Sequence, residues 1–95
     1  MRVQMTQAYR DWINALKDHT ARARIQVRID RLAHGNPGQH RNLTDGVSEL
    51  KIDVGPGYRV YFTRRGDELI ILLAGGDKST QRQDVKAAVT LARNL

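Results

Sequence analysis

Ninety-five residues make one domain with a modest core, and a chain without cysteine has neither disulfides nor thiolate metal sites, which makes a reducing, cytoplasmic setting the natural expectation. No apolar run approaches a membrane span, and the amino terminus lacks the hydrophobic stretch of a secretory signal. Sixteen Lys and Arg against ten Asp and Glu leave a formal charge of +6, which implies a polyanion or an acidic protein as partner.

Residues 2 to 5 read as a short first strand, and Thr6 is placed to cap a helix beginning just after it. Tyr9, Trp12, Ile13 and Leu16 recur at i, i+3, i+4, i+7, the stripe of an amphipathic helix. After a short link around His19 and Thr20, a second helix carries Ile25, Ile29, Leu32 and Ala33 on one face and Arg24, Arg28 and Arg31 on another. It stops at His34-Gly35-Asn36-Pro37-Gly38, where glycine ends the helix and proline forbids its continuation. Two helices so closely joined are expected to form a hairpin lying on a sheet.

A loop over residues 36 to 46 leads to two strands around Gly55-Pro56-Gly57. Alternation puts Leu50, Ile52 and Val54 on one side of the first and Glu49, Lys51 and Asp53 on the other. In the second strand Tyr58, Val60 and Phe62 face one way, and Arg59, Tyr61 and Thr63 the other. An antiparallel hairpin brings Glu49, Lys51, Arg59 and Tyr61 onto one polar surface, expected to be open to solvent and suited to a phosphate-bearing ligand, although such a face also serves simply to meet water. Arg65-Gly66-Asp67-Glu68 has the type II′ signature of a two-residue turn, and the apolar run from Leu69 to Ala74 reads as a strand buried on both faces or flanked on both edges. In the last segment Thr80 and Gln83 have capping-box spacing, Asp84 lies in the first turn, and Val85, Ala88, Val89 and Ala92 form a small-residue stripe.

The order strand, helix, helix, strand, strand, strand, helix defines a single α+β domain over residues 1–95, with a two-helix hairpin and a C-terminal helix on a twisted, mostly antiparallel four-stranded sheet. The first strand, the helix pair ending in Gly35-Asn36-Pro37-Gly38, the segment Val47-Ser48-Glu49-Leu50-Lys51-Ile52, the stretch from Gly55 to Phe62 and Gly75-Gly76-Asp77-Lys78-Ser79-Thr80-Gln81 together resemble a RelE/ParE-superfamily toxin. The branch they resemble is the phage-derived Gp49-like, HigB-type addiction module killer proteins. The resemblance implies the RelE-like fold and the toxin of a type II toxin-antitoxin pair. In many members that toxin is a metal-independent endoribonuclease cutting mRNA on the ribosome. It also implies a hetero-oligomer with a helix-turn-helix, HigA-like antitoxin. A second lineage of the superfamily inhibits DNA gyrase.

RNA cleavage without a metal needs a base for the 2′-hydroxyl proton, cations for the phosphate, an acid for the leaving oxygen and an aligned geometry. Arg59 matches the arginine that nuclease members place in their active site, and its guanidinium suits a phosphate; its alternative is a salt bridge to Glu49. Lys51 is a candidate for charge stabilisation or proton transfer, and Glu49 for the base or a counter-ion. Asp77 and Lys78 stand at a strand exit where ligands collect, Asp77 being equally suited to cap the last helix. Tyr61 is a candidate platform for an RNA base, alongside Arg59, Lys51 and Lys78 as RNA contacts, and Tyr58 belongs to the core. Several nuclease members use a tyrosine or histidine late in the chain, yet none comes after Tyr61 here. His40, in the loop before the hairpin, is the one histidine with a path to the site, and the three histidines are too scattered for a metal. No cofactor is expected.

Overall fold

A computed structural model describes all residues, 1–95. The elements run β1 (Arg2–Met5), α1 (Gln7–Ala15), α2 (His19–Ala33), β2 (His40–Asn42), β3 (Val47–Ile52), β4 (Tyr58–Arg65), β5 (Leu69–Asp77) and α3 (Gln81–Arg93), with a 3-10 turn at Lys78–Thr80 leading into α3. No helix is long and apolar enough to cross a membrane.

The sheet has five strands in the order β1-β5-β4-β3-β2, not the four expected. The added strand, β2, pairs antiparallel with β3 through Arg41 opposite Glu49. The connecting turn is built by Asp45 (φ 56) and Gly46 (φ 75), with the Val47 amide donating to the Thr44 carbonyl at 3.0 Å. Two consecutive left-handed residues of the Asp-Gly type are a strong local hairpin signal, and they lie within what reads as a plain loop. The sheet is mixed, because β5, the last strand of the chain, returns beside β1 and pairs with it in parallel. Beyond β4 the chain reverses over Gly66–Glu68, since Arg65 pairs with Leu69; this is a three-residue loop with Gly66 at φ +60, where the turn signature implies two residues.

Alternation along β3 and β4 places side chains as expected. Leu50, Ile52, Tyr58, Val60 and Phe62 join Tyr9, Ile25, Ile29 and Leu32 of α1 and α2 in one core. The opposite face is covered as well: Val47, Tyr61, Ile71, Leu73 and Ala74 pack against Ala88 and Val89 of α3. β5 supplies apolar side chains to both cores, which accounts for its unbroken hydrophobic run. A bulge opposite Tyr61 and Phe62 turns both Leu73 and Ala74 towards α3.

The two glycines at the end of β5 are required by close approach. A Cβ at Gly75 would collide with the Trp12 ring, and one at Gly76 with the Asp84 carboxylate and Thr80. Trp12 bridges this contact to the core, its ring centroid 5.8 Å from that of Tyr9 and 6.3 Å from that of Tyr58. Helix starts obey local chemistry: Thr6 Oγ1 accepts from the Tyr9 amide at 3.1 Å and Asp18 Oδ1 from the Ala21 amide at 3.0 Å. The capping box at Thr80 is not formed. Its hydroxyl donates to Asp84 instead, fastening the first turn of α3 over Gly76.

Candidate functional site

Cross-strand neighbours share a face of the sheet, so the register decides which side chains meet. Lys51 lies opposite Arg59 and Glu49 opposite Tyr61, as the sequence implies, and β2 adds Arg41 opposite Glu49. The expectation of a solvent-open wall is overturned. Glu49 and Tyr61 are fully buried and Arg59 is 5 % exposed. The cause is α3, whose small side chains let it lie flat on this face. It buries the polar row that alternation alone assigns to solvent.

Burial makes these groups partners of one another. Glu49 Oε1 accepts from Gln81 Nε2 of α3 at 2.6 Å and lies 3.6 Å from Arg59 Nε, while Oε2 lies 3.1 Å from Arg41 Nη2. Arg59 also donates from Nη1 to the Tyr58 carbonyl at 3.0 Å. The salt bridge to Glu49, the alternative reading of Arg59, is therefore present, and Arg59 is not free to grip a ligand from solvent. Satisfaction is incomplete all the same: Glu49 Oε2, Arg59 Nε and the Tyr61 hydroxyl are buried without a well-formed hydrogen bond. Native interiors leave few such atoms, and these three belong to side chains gathered around the Glu49 carboxylate. Burial, then the neighbouring Glu49 charge, pushes the Tyr61 hydroxyl far above its ordinary range. It stays protonated and keeps its O–H as a donor. A buried Tyr61 offers no platform for a base, which corrects that expectation.

The other candidates gather at the edge of this cluster. Arg59 pairs with Lys51 on one side and with Gly76 on the other, and Tyr58 pairs with Asp77, so β4 stands between the end of β5 and Lys51. Gly57, at φ +82, lets the chains close up: a Cβ there would stand 3.4 Å from Arg59 Nη1 and 3.7 Å from Lys78 Cβ. The Lys78 amide donates to the Gly57 carbonyl at 2.8 Å. Lys51 is half-buried and Lys78 exposed, so these two remain reachable.

Asp77 serves as a cap, accepting from the Ser79 amide at 2.8 Å and from the Ser79 hydroxyl. The hydrogen bond from the Ser79 side chain, then that from its amide, holds the Asp77 carboxyl below its ordinary value. A depressed carboxylate contributes stability above its unfolded value of 3.8 and loses it as pH falls through the folded one. Asp77→Ala is thus expected to cost about 1 kcal/mol at pH 7. Urea unfolding at pH 7 and at pH 3 checks this, because the difference from wild type shrinks at the lower pH.

His40 pairs with Leu50, whose side chain faces the α1–α2 core, so it lies on the wrong side of the sheet to reach Glu49. Its Nδ1 is engaged 2.8 Å from the Gly38 carbonyl. Arg41 and Gln81 are the members of the cluster that sequence reasoning misses. The Asp45-Gly46 turn is the available signal for Arg41, since it pairs β2 with β3; nothing local marks Gln81.

Comparison with known proteins adds the family. The phage-derived protein Gp49-like family (DUF891) matches residues 11–95. An uncharacterised protein of Haemophilus influenzae is 45% identical over 95 residues, covering 100% of this chain and 96% of that protein. No solved structure matches. The chain belongs to the phage-derived Gp49-like family.

Proposed function

We propose that this protein is the toxin of a type II toxin-antitoxin pair and a metal-independent endoribonuclease that cuts mRNA on the ribosome, held in check by a helix-turn-helix antitoxin. The observation that carries the reading is the cluster of incompletely partnered polar atoms on Glu49, Arg59 and Tyr61, bordered by the accessible cations Lys51, Lys78 and Arg41. The Gp49-like family, which is associated with RelE-like toxins, and the charge of +6 support it.

In this reading Glu49 takes the 2′-hydroxyl proton once the Gln81 amide swings away from its carboxylate. The 2′-oxygen then attacks phosphorus, the bond to the 5′-oxygen breaks as that oxygen takes a proton from the Lys51 ammonium, and Lys78 stabilises the charge that develops. Arg59 holds the Glu49 carboxylate in place, its Nε 3.6 Å from Oε1. It is a positioning residue, not the phosphate clamp that the sequence suggests.

A second reading, a non-catalytic toxin that binds DNA gyrase or another protein, is favoured by the burial of Arg59 and Tyr61. Controlled induction separates the two. Wild type is expected to arrest growth with cleaved transcripts and normal supercoiling, and the Lys51→Ala/Lys78→Ala variant to remain folded with cleavage reduced about 100-fold or more. Intact transcripts with altered supercoiling would establish the second reading instead.

A further inference from the structure

Two clefts flank the first turns of α3 and share Arg82 and Lys86. The first, about 420 Å³, is lined by Arg41, Gln81, Arg82, Val85 and Lys86. The second, about 250 Å³, adds only the uncharged side chains of Ser79, Thr80 and Gln83. No carboxylate lines either. Arg82 and Lys86 are exposed and form no ion pair, and their i, i+4 spacing sets them on one face, about 6 Å apart along the helix.

Directly beneath the first cleft lies the Glu49 carboxylate. It is fully buried, in contact with the lining residues Arg41 and Gln81, and its Oε2 has no well-formed hydrogen bond. Glu49 holds Arg41 by one edge of its guanidinium, which leaves the other donors directed outward and pre-organised. The single buried negative charge does not offset the three cations above it.

We infer that Arg41, Arg82 and Lys86 form a phosphate-backbone site along which a single-stranded RNA runs past Glu49, an extension that rests on the ribonuclease reading above. The chemistry of the cleft favours RNA over an acidic protein segment. Val85 is its only apolar lining residue, too little to hold the hydrophobic side chains with which an amphipathic partner would anchor itself. A repeating phosphate needs only cations at intervals.

The test is binding of a fluorescein-labelled single-stranded RNA to the full-length protein across a salt series, read by anisotropy. Each phosphate contact on a single strand contributes about 0.7 to the slope of log affinity against log salt. Arg82→Ala/Lys86→Ala is expected to weaken binding about tenfold or more at low salt and to flatten the slope by about 1.4. Arg41→Ala is expected to flatten it by about 0.7. The control is Arg24→Ala/Arg31→Ala, which removes the same charge from α2, across the sheet from α3. Its slope is expected to move by less than half as much. If wild type binds RNA and both double variants behave alike, or neither changes, the cleft assignment is overturned while the ribonuclease reading stands. If wild type binds no free RNA, the cleft assignment is overturned as well, while the ribonuclease reading is decided separately by whether transcripts are cut on induction, because on the ribosome the message is already presented.

Discussion

Glu49→Ala is expected to lower the unfolding free energy by about 3–5 kcal/mol, because it strands a buried guanidinium without its counter-ion. The Arg59 side chain is only 6 % exposed, and beyond its backbone bond to Tyr58 the Glu49 carboxylate is its one partner. Little of the loss comes from Arg41, whose side chain is 57 % exposed and can return to water. For a domain of this size such a loss lowers the melting temperature by roughly 15–30 °C, which thermal unfolding reads directly. Replacing both partners with apolar residues, Glu49→Leu with Arg59→Met, is expected to restore most of the stability, since the desolvation cost leaves with the charges. That double variant also separates two roles. Folded but unable to cleave RNA, it would assign the pair to chemistry; folded and fully toxic, it would make the pair purely structural. A loss below about 1 kcal/mol in Glu49→Ala would mean that water reaches Arg59 and the cluster is not closed.

Arg28→Ala is expected to cost about 1.5–3 kcal/mol and to loosen the chain between α2 and β2. Its guanidinium donates to the carbonyls of Lys51 at 2.6 Å, Gln39 at 2.8 Å and Pro37 at 3.0 Å, tying α2, the loop after it and the end of β3 together. Burial, then the neighbouring charge of Arg31, lowers its affinity for the proton, yet it remains charged as arginine does. Gly38 makes room for it: at φ +61, a Cβ there would come within 3.2 Å of Arg28 Nη2. Arg28→Lys is expected to recover only part of the loss, because an ammonium lacks the planar fork that reaches three carbonyls. Urea unfolding gives the magnitude, and hydrogen exchange at the Lys51 amide, which donates to the Gln39 carbonyl at 3.0 Å, reports the local loosening. Unchanged exchange at Lys51 would show that the loop is held by something else.

Arg28 illustrates how far local pattern reaches. Arg24, Arg28 and Arg31 share one polar face of α2 in the sequence, and nothing distinguishes them. The structure gives Arg28 three carbonyls because β3 ends and Gly38 turns beside it, while Arg24 and Arg31 stay exposed. The same holds at the end of β5. Gly75 and Gly76 read as a place where the strand stops, yet β5 continues to Asp77, and they are glycines because Trp12 and Asp84 press on the backbone from opposite sides. The short β2 escapes a pattern-based reading because exposed polar residues carry no periodicity; only its turn, Asp45-Gly46, has chemistry that marks it.

By itself the sequence determined which residues form each helix and long strand, and which side chains of β3 and β4 share a face, because these come from periods of 3.6 and 2 fixed by backbone geometry. It also determined the positive charge and the strand exit at which Lys78 stands. What stands over each face was decided only by tertiary structure. Glu49 and Arg59 look solvent-facing one at a time, since an isolated charge is costly to bury; as an opposed pair they can be buried together, and α3, with Ala88 and Val89 inward, covers them. Long-range packing placed Gln81 against the carboxylate, while Arg41 reaches it through the short β2–β3 hairpin. Alternation states only that residues share a surface; the helix that closes that surface is chosen by contacts between parts of the chain that no local pattern connects.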